Sequence, residues 1–184
     1  VASDYAADYM TLRLYTPDTW SDVIPNANIT ITPYADQYLN IKYGSYVVGE
    51  KGTHNVSSTI EAPEITFNDT ETIVYGASRI LSLGDLSALY SGTVDVSKAV
   101  KLSELIIGHG GNYQNTNLTI LSIGNNELLK KLDVRNCPSL TEAIDVSGCA
   151  NIEEVYTEGT SSTAIKLPNG GNVKKLHLPA VSNL

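Results

Sequence analysis

Apolar residues in the second half of the chain recur in pairs of the form apolar-x-apolar, beginning at about Val94. In a strand, positions i and i+2 point to the same side, so both members of a pair are expected to enter one core. Most pairs recur about 11 residues apart, and two of them make a period of about 22 residues, which lies in the range of leucine-rich repeats. The pattern predicts a solenoid of parallel strands, and we expect the pairs from Leu121 onward to be nearly inaccessible to solvent. The pairs are Val94/Val96, Leu105/Ile107, Leu121/Ile123, Leu132/Val134, Ile144/Val146, Ile165/Leu167 and Leu176/Leu178.

In several units a small residue or an amide residue stands three positions after the second apolar residue of the pair. The units LDVRNCPSL and IDVSGCANI place Cys137 and Cys149 there, and an earlier unit places Asn126 there. Cys is small enough to be buried at a turn, and an Asn amide can bond turn backbone groups that would otherwise lack partners. We expect both thiols to be free and buried on opposite sides of the solenoid, too far apart for a disulfide.

The first part of the chain has a different pattern, with short alternating runs rich in Thr, Tyr, Ile and Val that are separated by turn residues. Runs at 10–15, 29–32 and 38–43 are typical of strands. The sequence therefore predicts a mainly β protein with two domains. A small antiparallel, sandwich-like, Tyr-rich β domain covers residues 1–75, and the solenoid covers residues 76–184.

The repeat pattern has two interruptions and an uncapped end. The segment GHGGNYQNTN at 108–117 predicts a loop that leaves the solenoid. Thr157 replaces the second apolar residue of the pair that begins at Val155, so we expect that region to pack least well. The pattern runs on to Leu184 without a polar cap, which a terminal coil needs. We therefore expect the natural protein to continue or a partner to cover the last coil.

Composition and charge narrow the functional classes. The 184 residues carry a net charge of -8 with a pI near 4.7, and the basic residues are scattered apart from short pairs such as Lys130-Lys131 and Lys174-Lys175. A nucleic-acid partner is therefore not expected. No apolar run approaches the length of a membrane span, so no membrane insertion is expected. The 11 tyrosines favour contact surfaces, because Tyr combines a large apolar area with a polar tip.

No group of residues in the sequence has the pattern of a catalytic, cofactor-binding or metal site. The three histidines (His54, His109 and His177) are dispersed, and no nucleophile motif accompanies them; His177 is predicted to point outward between Leu176 and Leu178. The glycines at 108, 110 and 111 match no phosphate-binding fingerprint. The acidic pairs Asp69/Glu71 and Glu153/Glu154 are most simply solvated faces, with calcium as an alternative. We predict a protein that is not an enzyme and has no cofactor.

The repeat units resemble a known class of proteins. The stretches IGNNELLKKLDVRNCPSLTEAIDVSGCANIEEVYTEGT and LPNGGNVKKLHLP look like leucine-rich-repeat segments in structural proteins of bacteriophages and prophages of gut bacteria. The preceding YGASRILSLGDLSALYSGTVDVSKAVKLSELIIG resembles the entry to that region, so the resemblance extends over more than half of the chain, from position 75 to position 184. It implies a tail, baseplate or fibre component, located in the virion, and it supplies no catalytic residues.

Three hypotheses for function follow. The first is a structural or adhesive module of a phage virion that contacts other virion proteins or a host surface glycan or protein, as a homo-oligomer or within a larger assembly. The second is a bacterial adhesin on the cell surface or secreted, which uses the same repeats. The third is an ancillary binding domain of a larger carbohydrate-active enzyme. Solenoids bind many kinds of partner, so the fold alone does not choose among them.

Overall fold

The chain is built almost entirely of β-strands. The structure, a computed structural model, describes residues 8–13, 28–33, 38–43, 46–51, 54–57, 71–75, 77–83, 92–108 and 114–180. Within these residues the helical structure is a single short 3-10 helix, Ala77–Arg79, and no helix is long and apolar enough to cross a membrane. The prediction of a mainly β protein is confirmed.

The strands fall into two groups along the chain. The first group is β1 (Tyr9–Arg13), β2 (Asn28–Pro33), β3 (Tyr38–Tyr43), β4 (Tyr46–Lys51), β5 (His54–Ser57), β6 (Glu71–Tyr75) and β7 (Ile80–Leu83). The second group is β8 (Gly92–Asp95), β9 (Glu104–Ile106), β10 (Leu118–Ser122), β11 (Lys131–Asp133), β12 (Ile144–Asp145), β13 (Glu154–Tyr156), β14 (Ile165–Lys166) and β15 (Lys175–His177).

The second group stacks as a β-solenoid of about four coils, each coil having one strand on each of two sides. On the first side β8 pairs with β10 and β12 pairs with β14, all in parallel. On the second side β9, β11, β13 and β15 form one parallel sheet. Leu132 aligns with Val155, 23 positions on, and Val155 with Leu176, 21 positions on. The predicted solenoid of parallel strands is confirmed. The two coils from Leu132 to Leu176 have about the length that the spacing of the apolar pairs indicates, whereas the coil from Leu105 to Leu132 is longer, at 27 residues.

The core follows the predicted pairs through most of the solenoid. Among the ten pair members from Leu121 onward, Leu132, Val134 and Val146 are fully buried, and Ile123 and Ile144 are buried with 4% and 2% exposure. Leu121, Ile165 and Leu167 pack against the same core but are only partly buried, so the near-complete burial expected for these three is not reached. The corners of the coils are filled by the last apolar residue of each unit, which is buried in every case; these residues are Leu102, Leu129, Leu140 and Ile152.

Two expectations about the later coils are wrong. Leu176 is 38% exposed and Leu178 is 52% exposed, because β15 is the last strand of its sheet and has a described neighbour on one side only. The region at Val155 is not the least well packed, because Thr157 is fully buried and its hydroxyl donates to the carbonyl of His177 at 2.7 Å. A buried hydroxyl with a partner replaces the missing apolar group without leaving a polar atom unpaired.

The turn at Asn126 shows how adjacent coils are joined. The Asn126 side chain is buried; its Nδ2 donates to the carbonyls of Ala99 and Leu102 in the preceding coil, at 3.1 and 3.0 Å. Its Oδ1 accepts from the backbone N–H groups of Leu128 and Leu129 in its own coil, at 2.9 and 3.1 Å. One side chain therefore bonds four backbone groups of two successive turns, which confirms the role expected for an amide at this position.

The turn after β11 requires a left-handed backbone conformation. Asn136 has a φ of 56°, and Gly159, at the equivalent place one coil later, has a φ of 75°. Asn and Gly are the residues that adopt this conformation most readily. The two turns stack directly, since the Asn136 N–H donates to the Glu158 carbonyl at 2.8 Å. A side chain at position 159 would be strained and would also press against Asn136.

The strands before the solenoid pair in antiparallel fashion. β1 pairs with β6, β6 with β3 and β3 with β4, while β2 lies between β5 and β7 in a separate three-stranded sheet. The larger sheet continues into the solenoid, because Thr11 of β1 aligns with Asp95 of β8 and β10 follows β8. The edge of β8 opposite β10 is therefore covered by the antiparallel strand β1. The division into domains at residue 75 and the sandwich arrangement stay predictions.

Removing the Asn126 amide is expected to destabilise the solenoid strongly. An Asn126→Ala variant removes all four of these hydrogen bonds, and its free energy of unfolding should fall by at least ~2 kcal/mol. The Ala99 carbonyl still accepts from the Leu102 N–H at 3.2 Å, and the Leu129 N–H still donates to the Asn126 carbonyl at 3.4 Å. Asn151→Ala is the matched control, because Asn151 is exposed and its Nδ2 makes one hydrogen bond, to the Glu127 carbonyl. Its loss should stay below ~1 kcal/mol. Urea unfolding of both variants measures the difference, and equal losses would contradict the proposed role of Asn126.

Candidate functional site

The second side of the solenoid carries a continuous surface of polar and aromatic side chains. Side chains alternate across each strand, so Leu132 and Val155 enter the core while their neighbours lie on the opposite side of the sheet. The parallel register then aligns these neighbours from coil to coil. We call this surface the outer face, and it consists of Lys131, Asp133, Arg135, Glu154, Tyr156, Glu158, Lys175 and His177.

The centre of the outer face is an ion pair between Asp133 and Arg135. Arg135 donates from Nη2 to Asp133 Oδ2 at 2.6 Å. The Nε of Arg135 donates to Oδ1 and Oδ2 of Asp133, at 3.0 and 3.1 Å. These hydrogen bonds raise the pKa of Arg135 above its ordinary value, so the guanidinium stays charged. Asp133 is only 2% exposed. Arg135 thus supplies the counter-charge that a buried carboxylate needs.

Tyr156 links this ion pair to the next coil. The Arg135 guanidinium lies 5.1 Å from the Tyr156 ring centroid, and the Lys131 Nζ lies 5.7 Å from it. The ring of His177 is 4.8 Å from the same ring, at an angle of 53°. Cation–π contacts of this kind contribute about 0.5–1 kcal/mol each at exposed sites. The aromatic side chain is therefore held by contacts with side chains from the coils on both sides of its own.

Glu158 and His177 form a second polar pair on the outer face. His177 Nδ1 lies 2.6 Å from Glu158 Oε1, within hydrogen-bond distance. The other carboxylate oxygen, Oε2, is buried and has no hydrogen-bond partner among the described residues. The sequence-based prediction that His177 points outward onto the sheet face is confirmed.

Pairs of like-charged residues stand at the start of these strands, partly within the outer face, and their sign alternates between coils. Lys175 Nζ lies 2.8 Å from Glu154 Oε1, and Lys174 Nζ lies 3.1 Å from Glu153 Oε1. Hydrogen bonds from Lys175 and then from the Tyr156 hydroxyl lower the pKa of Glu154, and the bond with Glu154 raises the pKa of Lys175. The acidic pair Glu153/Glu154 is therefore bound to lysines of the next coil, as well as being solvated.

The two thiols lie inside the solenoid and away from the outer face. Both are free and fully buried, Cys137 following β11 on the second side and Cys149 following β12 on the first. The predictions of free, buried thiols on opposite sides are confirmed. Burial raises the pKa of Cys137 to about 12, and it also raises the pKa of Cys149. Neither group is a reactive nucleophile at neutral pH.

The structure describes only some of the other glycines, histidines and acidic residues that were weighed as candidates for ligand or metal binding. Gly108 is buried, and its N–H donates to the Asp133 carbonyl at 3.0 Å, so it belongs to the stacked coils. Residues 109–113, including His109, and Asp69 lie outside the described residues, while His54 begins β5 and Glu71 begins β6. In the described residues no three His, Cys, Asp or Glu side chains are grouped to hold a metal ion.

No protein-family model matches the chain, and no curated protein or solved structure does. The outer face must therefore be interpreted from its own geometry. It combines Tyr, Arg and His with carboxylates that already have partners. Such a surface offers hydrogen-bonding groups, charges and aromatic rings, which are the groups that contact surfaces use.

The structure shows a role for the aspartates between paired apolar residues that was not predicted from the sequence. Oδ1 of Asp95, Asp133 and Asp145 accepts a hydrogen bond from the backbone N–H two residues on, at 2.9, 3.1 and 3.0 Å respectively. Each aspartate thereby closes the turn that follows its strand. The recurring Asp-Val-Ser and Asp-Val-Arg triplets were the available signal. At Asp145 the bonds from Ser147 lower the pKa of the carboxyl group.

Loss of the Arg135 side chain is expected to destabilise the protein more than loss of an exposed ion pair. Arg135→Ala leaves the Asp133 carboxylate buried without its main partner, so we expect a loss of about 1–3 kcal/mol. Lys166→Ala is the matched control, because the Lys166–Asp145 pair is 3.9 Å apart with both side chains at least half exposed. Its loss should be below ~1 kcal/mol. Chemical unfolding of both variants is the measurement, and a larger loss for Lys166→Ala contradicts this account.

The thiols are expected to resist labelling while the protein is folded. At pH 8 a thiol reagent should leave Cys137 and Cys149 unmodified in the native protein and label both after denaturation. The fold favours the neutral thiol, so the contribution of Cys137 to stability is present below its unfolded pKa of about 8.5 and is lost as pH rises toward about 12. A Cys137→Ala control should lose less stability over that range. Rapid labelling of the native protein, or a disulfide between the two, would overturn this prediction.

Proposed function

We propose that the chain is a non-catalytic binding and assembly module of a phage virion, in a tail, baseplate or fibre protein. Its coils are assigned to the leucine-rich-repeat class on the resemblance of the LDVRNC and IDVSGC units to segments of such proteins. The partner is another virion protein or a surface glycan or protein of the host. The outer face is the observation that carries the binding role.

The composition of the outer face supports a contact role. Tyr and Arg are enriched in protein interfaces because they combine large contact area with directional polar groups. Tyr156 and Arg135 are already fixed by contacts within the solenoid, so binding orders few additional rotamers. The lysines and the arginine of this face balance its carboxylates, so a partner meets paired charges and rings rather than a field of one sign.

The location of the chain in its source culture tests the proposal against the other hypotheses. Antibodies raised against the purified chain are applied to concentrated particles and to whole cells from the culture that encodes it. Gold label at one end of the particles, with the chain present in their protein content, is the expected result.

Label on the envelope of cells that release no particles would overturn the proposal and favour a bacterial adhesin. Recovery of the chain as part of a secreted glycan-cleaving protein would overturn it in favour of an ancillary domain. A preimmune serum and a culture from which the gene has been deleted provide the controls.

A further inference from the structure

The last strand of the second side, β15, has an open edge within the described part of the chain. Its sheet runs in the order β9, β11, β13, β15, so β15 pairs with β13 alone. The N–H of Lys175 and the carbonyl of His177 both point back to β13, where they bond Glu153 and Thr157. Leu176, between them, therefore directs its N–H and carbonyl to the open edge.

The inward side of the same coil is partly uncovered. Leu176 and Leu178 occupy the positions that the preceding coil fills with Val155 and Thr157, and both of those are fully buried. The two leucines are 38% and 52% exposed. The open edge of β15 therefore presents an apolar pair together with the N–H and carbonyl of Leu176, which is the combination that an added strand can cover.

The charge pattern of the sheet specifies what kind of strand fits. In the sheet, Lys131 aligns with Glu154, and Glu154 aligns with Lys175. Each of these residues is preceded in the chain by a residue of the same charge. The sheet therefore carries charged pairs that alternate in sign from coil to coil, namely Lys130-Lys131, Glu153-Glu154 and Lys174-Lys175. The two lysines of the last pair are more than half exposed although each already contacts one glutamate. A further strand in the same parallel register would place its first two side chains beside these lysines.

We propose that the open edge of β15 binds a parallel strand of a partner polypeptide with the pattern acidic-acidic-apolar-x-apolar or Thr. The acidic pair contacts Lys174 and Lys175, and the following residues cover Leu176 and Leu178. β13 supplies this pattern within the chain, as Glu153-Glu154-Val155-Tyr156-Thr157, and each of its two neighbouring strands begins at a lysine pair. This site uses the edge of β15 and shares Lys175 with the outer face, and it does not depend on whether the chain is a virion component.

A peptide with the sequence of residues 150–160 of the chain is the probe. It is labelled with a fluorophore and titrated with the full chain, and binding is measured by anisotropy. Saturable binding is expected, and a peptide carrying Glu153→Lys and Glu154→Lys should bind about threefold to tenfold more weakly, because two exposed ion pairs become repulsive. Absence of saturable binding by the unmodified peptide, or equal binding by both peptides, would overturn the proposal.

Variants of the chain locate the binding to the open edge. Leu178→Asp should abolish binding of the unmodified peptide, whereas Leu128→Asp should not change it. Leu128 is a matched control because it is also 52% exposed but lies in a turn elsewhere on the solenoid. Circular dichroism establishes that both variants are folded. Equal effects of the two substitutions would overturn the assignment to β15.

Self-association is the competing use of the same edge. Sedimentation velocity at increasing concentration separates the two possibilities. A monomeric chain that binds the peptide supports the proposal. Concentration-dependent dimers that Leu178→Asp abolishes would overturn it, since the occupant would then be a second copy of the chain.

Discussion

Hydrogen bonding of the buried turns between neighbouring coils is the constraint on which the solenoid depends. Short strands of two to five residues leave many backbone groups at the corners, and those groups cannot reach water once coils are stacked. The chain resolves this in part with side chains that reach across coils, as Asn126 does toward Ala99 and Leu102. Thr157 does the same toward His177 in a later coil. The apolar pairs supply the driving force, but these polar contacts determine how coils can stack.

The sequence predicted the solenoid because its pattern is local. Apolar residues at i and i+2, followed by a small or amide residue, are enough to identify which side chains are buried, and Leu132, Val134 and Cys137 follow this rule. Exposure of Leu176 and Leu178 could not be predicted in this way, because burial of a strand also depends on whether a neighbour covers it. Local pattern gives the side that a residue faces, and the number of neighbours decides how much of it is covered.

The outer face was less predictable for a related reason. The outward direction of His177 followed from strand alternation, but its contact with Tyr156 joins residues of two different coils. That contact requires the register between β13 and β15, which an average repeat length does not give, since the coil that ends at β13 is longer than the one that ends at β15. The Asp133–Arg135 pair is local, yet the Tyr156 ring that lies beside Arg135 belongs to the next coil.

The alternating charges on the second side bear on how such an array can change in length. Lysine pairs precede β11 and β15 and extend into them, and a glutamate pair does the same at β13. Gain or loss of two coils together preserves every attractive contact, since the sign of the charge repeats after two coils. Gain or loss of one coil brings two like-charged pairs into register, where they repel. Duplication within this array is therefore expected to be tolerated better in steps of two coils than in steps of one, although the structural unit is a single coil.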